Sequence, residues 1–407
     1  MIEIRFIDDS ELEDFVRADR YGFGIDDPTD SDNTATDWLR NSGAVAQSIA
    51  AFDHGQMVGT FSSYPLELTV PGGGHVPMAG TTWVTVQATH RRRGILTKMM
   101  ETHLRQAIDQ GKVIAGLWAS EETIYGRYGY GVATQNRSIT VPAAQVTVPP
   151  GPPEISCRTL DADDYQKLVP ELYSVTLGAV PGAFVRSDAW WQHMHFSDPA
   201  HRRGEFGQKR VVAAFNGDTP VGYIVFRLAQ GWENAVSTGR LRVLELGYTN
   251  DDVRRTLWHF ACSVDLFRNV KAEIAVDDPI LNEISHPRSV STHLLDALWI
   301  RPLDVVSMLV ARTYQGDGSI VIDVADDYLD RGGRFALTVV DGHLECEPTT
   351  KPVDVSMEIR TLGAIYLGGF SAFQLARSRQ IEGDREAVVT LDRMFRTLRA
   401  PFIPDEF

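Results

Sequence analysis

Cysteine is scarce in this chain: Cys157, Cys262 and Cys346 are the only three in 407 residues, and none forms a C-x-x-C pair. That excludes a disulfide framework and fits a reducing, cytoplasmic setting. Long apolar runs are missing too. No stretch approaches the ~20 residues that a membrane span needs. The start, MIEIRFIDDSELEDF, is acidic where an export signal would be basic and then apolar. Positive charge is in deficit, since 39 Lys and Arg against 54 Asp and Glu give −15. Such a balance disfavours nucleic acid and favours cationic partners. There is no G-x-S-x-G elbow, no G-x-x-x-x-G-K phosphate loop and no H-E-x-x-H pair. His193-x-His195 follows Trp190-Trp191 without a third ligand at metal-binding spacing, so no metal is expected.

What the chain does have is core-forming material. Hydrophobic residues make up 43%, enough for two or three packed domains at this length. The first half also recurs in the second. Ile4-Arg5-Phe6-Ile7-Asp8 matches Cys157-Arg158-Thr159-Leu160-Asp161, each a short strand, an aspartate cap and the start of an amphipathic helix. AFDHGQMVG from Ala51 matches AFNGDTPVG from Ala214, a strand, a glycine-containing turn and a second strand. WVTVQATHRRRGIL from Trp83 aligns with VLELGYTNDDVRRT from Val243, each a strand entering a helix. Three matches in one order mark a duplicated α/β module.

The proline-rich segment 146–155 reads as an extended linker, which gives modules at 1–145 and 154–300. Gly72-Gly73-Gly74 reads as a hairpin turn. From residue 303 the rhythm changes. SIVIDVAD and RFALTVVDGHLECEP read as strands turning at Gly-Gly and Asp-Gly, and residues 361–379 and 385–399 as helices. A third, α+β domain is expected over 303–407, with a tail stiffened by Pro401 and Pro404 and ending in Phe407.

One loop carries chemistry. The β-rich Val84-Thr85-Val86 leads into Arg91-Arg92-Arg93-Gly94, then a helix whose apolar stripe runs through Ile95, Met99, Met100, Leu104, Ala107 and Ile108 and stops at Gly111. A helix N-terminus offers unpaired N–H groups and the positive end of the dipole, which suit a pyrophosphate. Gly94 lets the backbone come close, and the arginines add charge and donors. A solvated basic loop ahead of a helix would carry the same residues.

Arg91-x-x-Gly94-x-Leu96 on a strand-to-helix turn resembles the pyrophosphate loop of the GCN5-related N-acetyltransferases, although Leu96 stands where that superfamily usually has Gly or Ala. Downstream lie Leu117-Trp118-Ala119-Ser120-Glu121 and Ile124-Tyr125-Gly126-Arg127-Tyr128-Gly129-Tyr130-Gly131. With them, the resemblance narrows to the actinobacterial "enhanced intracellular survival" N-acetyltransferases, in which a large aliphatic ends the loop. It implies a catalytic and a degenerate acetyltransferase module, a sterol-carrier-like third domain and assembly as a homohexamer.

The resemblance also assigns roles. Acetyl-CoA is the implied co-substrate, with Val84, Thr85 and Val86 along its pantetheine and Arg92, Arg93, Gly94, Ile95, Leu96 and Thr97 at its pyrophosphate. Ser120 and Glu121 fall near the reacting end, and Arg91 is added on charge grounds. Tyr125 is the implied acid and the terminal carboxylate of Phe407 the implied base. A phenol of pKa ~10 is protonated at neutral pH and can donate to a thiolate, while a terminal carboxylate is ionised and can accept. A tyrosine packing a helix on the sheet is the plainer account, and Tyr128 and Tyr130 fit it better than Tyr125. Phe23, Asp26, Trp38, Trp83 and Glu406 would make an acidic, aromatic pocket for a polyamine, an aminoglycoside or a lysine side chain. Helix capping and core packing account for the same residues.

In the second copy, Asp251, Asp252 and Arg254 stand where the first has Arg91, Arg92 and Gly94. Carboxylates repel a pyrophosphate and a side chain blocks its approach, so this copy is read as a scaffold whose carboxylates cap the helix. The leading function is acetyl transfer to a primary amine. Two alternatives stay open: a longer-chain N-acyltransferase, and a non-catalytic acyl-CoA or lipid-binding protein.

Overall fold

The computed structural model describes residues 2–25 and 30–407. Its first half runs β1 (Glu3–Phe6), α1 (Leu12–Phe23), α2 (Asp30–Asn41), β2 (Ile49–Asp53), β3 (Gln56–Thr69), β4 (His75–Val86), α3 (Ile95–Asp109), β5 (Ile114–Trp118), α4 (Glu122–Tyr125), β6 (Gly131–Val132) and β7 (Gln135–Pro142). The second half repeats the plan with β8 (Ile155–Leu160), α5 (Ala162–Val175), β9 (Arg210–Asn216), β10 (Thr219–Ala229), β11 (Gly239–Tyr248), α6 (Asp251–Cys262), β12 (Phe267–Ala275), β13 (Ser291–Asp296) and β14 (Leu298–Pro302). The matched sequence pairs fall on matched elements: the β2–β3 and β9–β10 hairpins, and the β4–α3 and β11–α6 turns. Gly72 and Gly73 make the turn between β3 and β4.

Two seven-stranded sheets result, ordered β1-β2-β3-β4-β5-β14-β6 and β13-β7-β12-β11-β10-β9-β8. Each holds one parallel pair that stays paired over only a few residues. β4 meets β5 from Met78 to Gly80, and β11 meets β12 from Gly239 to Arg242. Beyond those points the strands part, so each sheet opens into a V. In the first, a bulge opposite Thr60–Ser62, with Trp83 at φ +54°, turns β4 away from β5.

The sheets cross the division at 145/154 read from the sequence. β14, from the end of the second segment, pairs with β5 and β6 in the first sheet, while β7 pairs with β12 and β13 in the second. The physical reason is non-local: Leu298 and Ile300 are fully buried between the first sheet and the third domain. α1 buries Leu12, Phe15 and Val16 on one face of the first sheet, and α3 buries the expected stripe of Ile95, Met99, Met100, Leu104 and Ala107 on the other.

The third domain carries a five-stranded sheet of Gly318–Ala325, Gly333–Val340, His343–Pro348, Val355–Glu358 and Ile381–Gly383. The helix expected over 361–379 is two, Ile359–Ile365 and Ala372–Arg377, split around Gly368 at φ +81°. The last helix ends at Phe395 rather than 399. The first of these helices lies so close to β6 that a Cβ on Gly131 would sit 1.9 Å from the Arg360 carbonyl oxygen. Arg301 of β14 and Asp326 form a fully buried ion pair at 2.9 Å. Among the described residues, no helix is long and apolar enough to cross a membrane.

Because β14 completes the first sheet, residues 1–145 alone are expected not to fold. The fragment should show no cooperative thermal transition by circular dichroism. A fragment that melts cooperatively and binds acetyl-CoA would contradict the exchange.

Candidate active site

Gly94 caps α3 with φ +77°, a conformation other residues adopt only with strain, and open space surrounds the position its Cβ would take. The first α-helical bond runs from Lys98 N–H to the Gly94 carbonyl, which leaves the N–H groups of Ile95, Leu96 and Thr97 without helix acceptors. A cavity of about 750 Å³ opens over them, lined by Val84, Thr85 and Val86 of β4, by Arg91, Arg92, Gly94, Ile95, Leu96 and Thr97, and by Ser120, Glu121 and Tyr125. Arg93 departs from its sequence assignment. Its side chain turns to Asp53 at 3.5 Å, outside the cavity lining, because Asp53 on β2 offers a carboxylate already shared with His90 at 3.1 Å. Phe23 and Arg127 line the same cavity.

A second cavity, of about 340 Å³, adjoins the first at Phe23, Val84, Ser120 and Tyr125. It is lined further by Asp19, Thr81, Thr82, Trp83, Trp118, Ala119, Glu406 and Phe407. Tyr125 is buried, which raises its phenol pKa, while a hydrogen bond with Ser120 opposes the rise. Tyr130, fully buried, spends its hydroxyl on Thr81 at 3.1 Å, and Tyr128 bonds Thr97 at 3.0 Å. Trp38 is a correction. Its indole N–H donates to the Tyr64 hydroxyl at 2.7 Å and its ring stacks on His193, so it belongs to the core and lies outside both cavity linings. Trp83 donates to the same hydroxyl yet lines the second cavity. Asp26 lies outside the described residues.

Phe407 arrives at this cavity through a held tail. Ala400 N–H donates to Asp277 at 2.8 Å, Phe402 N–H to the Pro181 carbonyl at 2.9 Å, and Asn136 to the Ile403 carbonyl at 3.1 Å. Trp118 donates to the Asp405 carbonyl at 3.1 Å. The Asp405 carboxylate is buried against Arg186 at 3.0 Å and His195 at 3.0 Å, with Trp190 donating at 3.3 Å. Arg186 also pairs with Glu245. His195, Glu245 and Asp405 are spaced as metal ligands would be, but the Arg186 guanidinium already serves both carboxylates. The Phe407 ring packs edge-on against Phe184, with centroids 5.9 Å apart.

Sequence reasoning missed this network and Asp19. The network joins residues more than 200 positions apart, so no local pattern announces it. Asp19 did leave a signal: Leu12, Phe15 and Val16 define a helical stripe whose next position is a carboxylate.

Comparison with known proteins then fixes the family. Residues 3–133 and 182–302 each match an acetyltransferase (GNAT) domain, and residues 305–404 match a sterol carrier protein domain. An uncharacterized N-acetyltransferase of Streptomyces avermitilis is 37% identical over all of this chain and 99% of its own length. The N-acetyltransferase Eis of Mycobacterium bovis is 30% identical over 89% of each chain. The chain is an Eis-like GNAT N-acetyltransferase. The crystal structure of Eis1 from Mycobacterium abscessus superimposes with a TM-score of 0.83 at 29% identity, over the full length of both chains. A GNAT domain implies an acyl-CoA co-substrate. The open helix N-terminus, the αL glycine and the unpaired edge of β4 suit one in the first module.

The second GNAT module offers no such loop. α6 starts at Asp251, so Arg254 falls inside its first turn, fully buried and paired with Glu283 at 2.7 Å, Asp251 at 3.3 Å and Asp278 at 3.5 Å. The cap is Asn250, which accepts from the N–H groups of Asp252 and Val253 at 3.0 Å. The sequence pattern alone points to Asp251 and Asp252 for that task. Asn250 takes it because its side chain sits at the extended residue just before the helix.

Calorimetry should therefore find one acetyl-CoA site per chain, and Gly94→Glu should abolish it while far-ultraviolet circular dichroism stays unchanged. Two equivalent sites, or a bound cofactor in the variant, would contradict this geometry.

Proposed function

We propose that the enzyme transfers an acetyl group from acetyl-CoA directly to a primary amine of a small cationic acceptor, a polyamine or an aminoglycoside, with a lysine side chain as a further candidate. One observation carries the proposal: Tyr125 and Ser120 line both cavities, at the junction where a thioester from one side meets an amine from the other. The amine nitrogen attacks the thioester carbon, the C–S bond breaks, and the sulfur leaves as a thiolate. Tyr125 gives that thiolate its hydroxyl proton, which its raised pKa keeps available at neutral pH, and takes back the proton that the acylated nitrogen sheds as the neutral amide forms. The acceptor ammonium must first become an amine, and by the family likeness Phe407 is proposed to supply the base as a terminal carboxylate. Support comes from its residence in the acceptor cavity, at the end of a tail fixed by buried bonds.

The lining supports a cationic acceptor. Asp19 and Glu406 add carboxyl groups, Phe23, Trp83 and Trp118 add ring faces, and no described lining residue is Lys, Arg or His. By the same family likeness, the working form is proposed to be a homohexamer in the cytoplasm.

Mass spectrometry of an amine panel incubated with enzyme and acetyl-CoA tests the activity; no acetylated product from any amine overturns it. Tyr125→Phe tests the acid. Acetyl-CoA affinity should hold and turnover should fall roughly 10²–10⁴-fold. Wild-type turnover would give the role to another group or to water.

A further inference from the structure

α3 begins without a cap of its own. Gly94 offers no side chain to the first turn, and no acidic residue stands in that turn. The helices that start after Asp161, Asn250 and Asp384 are each capped by that residue's side chain. The missing cap leaves the N–H groups of Ile95, Leu96 and Thr97 free for a ligand, and it also leaves the turn prone to fraying. Support for it comes from two tyrosines. The Tyr128 hydroxyl bonds Thr97 Oγ1 at 3.0 Å, and the Tyr328 hydroxyl donates to the Thr97 carbonyl at 3.0 Å, on the lone pair that a helix bond leaves over. Their rings meet edge to face, with centroids 5.2 Å apart. Burial, with Tyr128 and Glu101 nearby, raises the Tyr328 phenol above its ordinary value, so it keeps its proton and donates.

Tyr328 belongs to the third domain, on the loop that joins the strands Gly318–Ala325 and Gly333–Val340. A connection of this kind ordinarily stands in solvent. Here one Asp326 oxygen accepts from the N–H groups of Tyr328 and Leu329 at 3.3 and 3.5 Å. The other accepts from the Arg331 N–H at 3.0 Å and from Arg301 of β14 at 2.9 Å. The Arg331 side chain in turn donates to the Leu303 carbonyl at 3.0 Å. Tyr328 and Leu329 pack on the same apolar cluster as Ile95 and Met99 of α3. The loop is a fixed point set against the start of the cofactor helix.

We propose that Tyr328 is a positioning residue for acetyl-CoA, through which the third domain pre-orders the first turn of α3 for the pyrophosphate. A turn ordered in advance loses no conformational freedom on binding, so the hydroxyl contributes to cofactor affinity without touching the cofactor. The third domain then serves both ends of the reaction, the acceptor through its tail and the cofactor through Tyr328. The proposal rests on the reading of the α3 N-terminus as the acetyl-CoA pyrophosphate site and adds a second domain to that site.

Acetyl-pantetheine carries the same thioester as acetyl-CoA without the pyrophosphate, and the pair of donors separates this role from simple packing. Tyr328→Phe keeps the ring and removes one hydroxyl. In this variant KM for acetyl-CoA should rise roughly three- to tenfold, the range for one neutral hydrogen bond, with kcat unchanged. By contrast, kcat/KM for acetyl-pantetheine should stay within about twofold of wild type. A tyrosine that only packs the domain seam would alter both donors alike or neither, and either result would overturn the proposal. Calorimetric titration of CoA should show the same rise in Kd, while pantetheine titrated as a competitor against CoA should bind as in wild type. This arm needs no acceptor amine. A wild-type enzyme that binds CoA no more tightly than pantetheine would instead overturn the reading of α3 on which the proposal rests.

Discussion

The Asp405 carboxylate lies buried between the two modules, where it meets the Arg186 guanidinium at 3.0 Å. Burial alone would raise its pKa, but Arg186 and the His195 ring hold it down at about 2, so the pair stays charged at neutral pH. Removing one partner of such a pair typically costs ~3–5 kcal/mol, because the other is left buried and unmatched. A buried pair of this kind is a poor source of net stability and a good source of register. Two residues beyond Asp405 the chain reaches Phe407, at most about 7 Å of backbone away. Any looseness at Asp405 would be passed to the acceptor cavity.

That interaction gives the second GNAT module, whose β11–α6 turn lacks the glycine loop, a structural task. Arg186, His195 and Glu245 all belong to it. Its V is lined by β11 and β12 and also by tail residues Phe402, Ile403, Pro404 and Glu406, so the tail runs along the groove that the first module leaves open to a cofactor. The exchange of β7 and β14 ties the two sheets together from the other side. The third domain closes against β6 and β14 and carries the tail back between the modules. On the proposed mechanism, the first module carries the chemistry and the second holds the tail that reaches it.

How much of this was legible in the sequence depended on range. The β4–α3 loop was readable because strand, arginines, glycine and stripe fall within about thirty residues and obey local rules. The same holds for the Gly72–Gly74 turn and the matched hairpins. Arg93 went astray because its partner Asp53 is a β2 residue that no spacing rule connects to it. Trp38 went astray because Tyr64 and His193 claim it for the core. The strand exchange was out of reach, since which strand fills the slot beside β5 is decided by burial of Leu298 and Ile300 under the third domain. Asp19 was within reach. A carboxylate at the fourth position of an apolar helical stripe is a local anomaly.

The proposed role of Phe407, a terminal carboxylate that accepts the acceptor's proton, is tested most directly by replacing that carboxylate with a carboxamide. The amide keeps every side chain and adds no bulk, unlike an appended tag. Steady-state turnover at neutral pH should fall roughly 10²–10⁴-fold with acetyl-CoA affinity and melting temperature unchanged, and should recover in part as pH rises and amine forms in solution. Equal turnover of the carboxylate and carboxamide forms at neutral pH would contradict the claim.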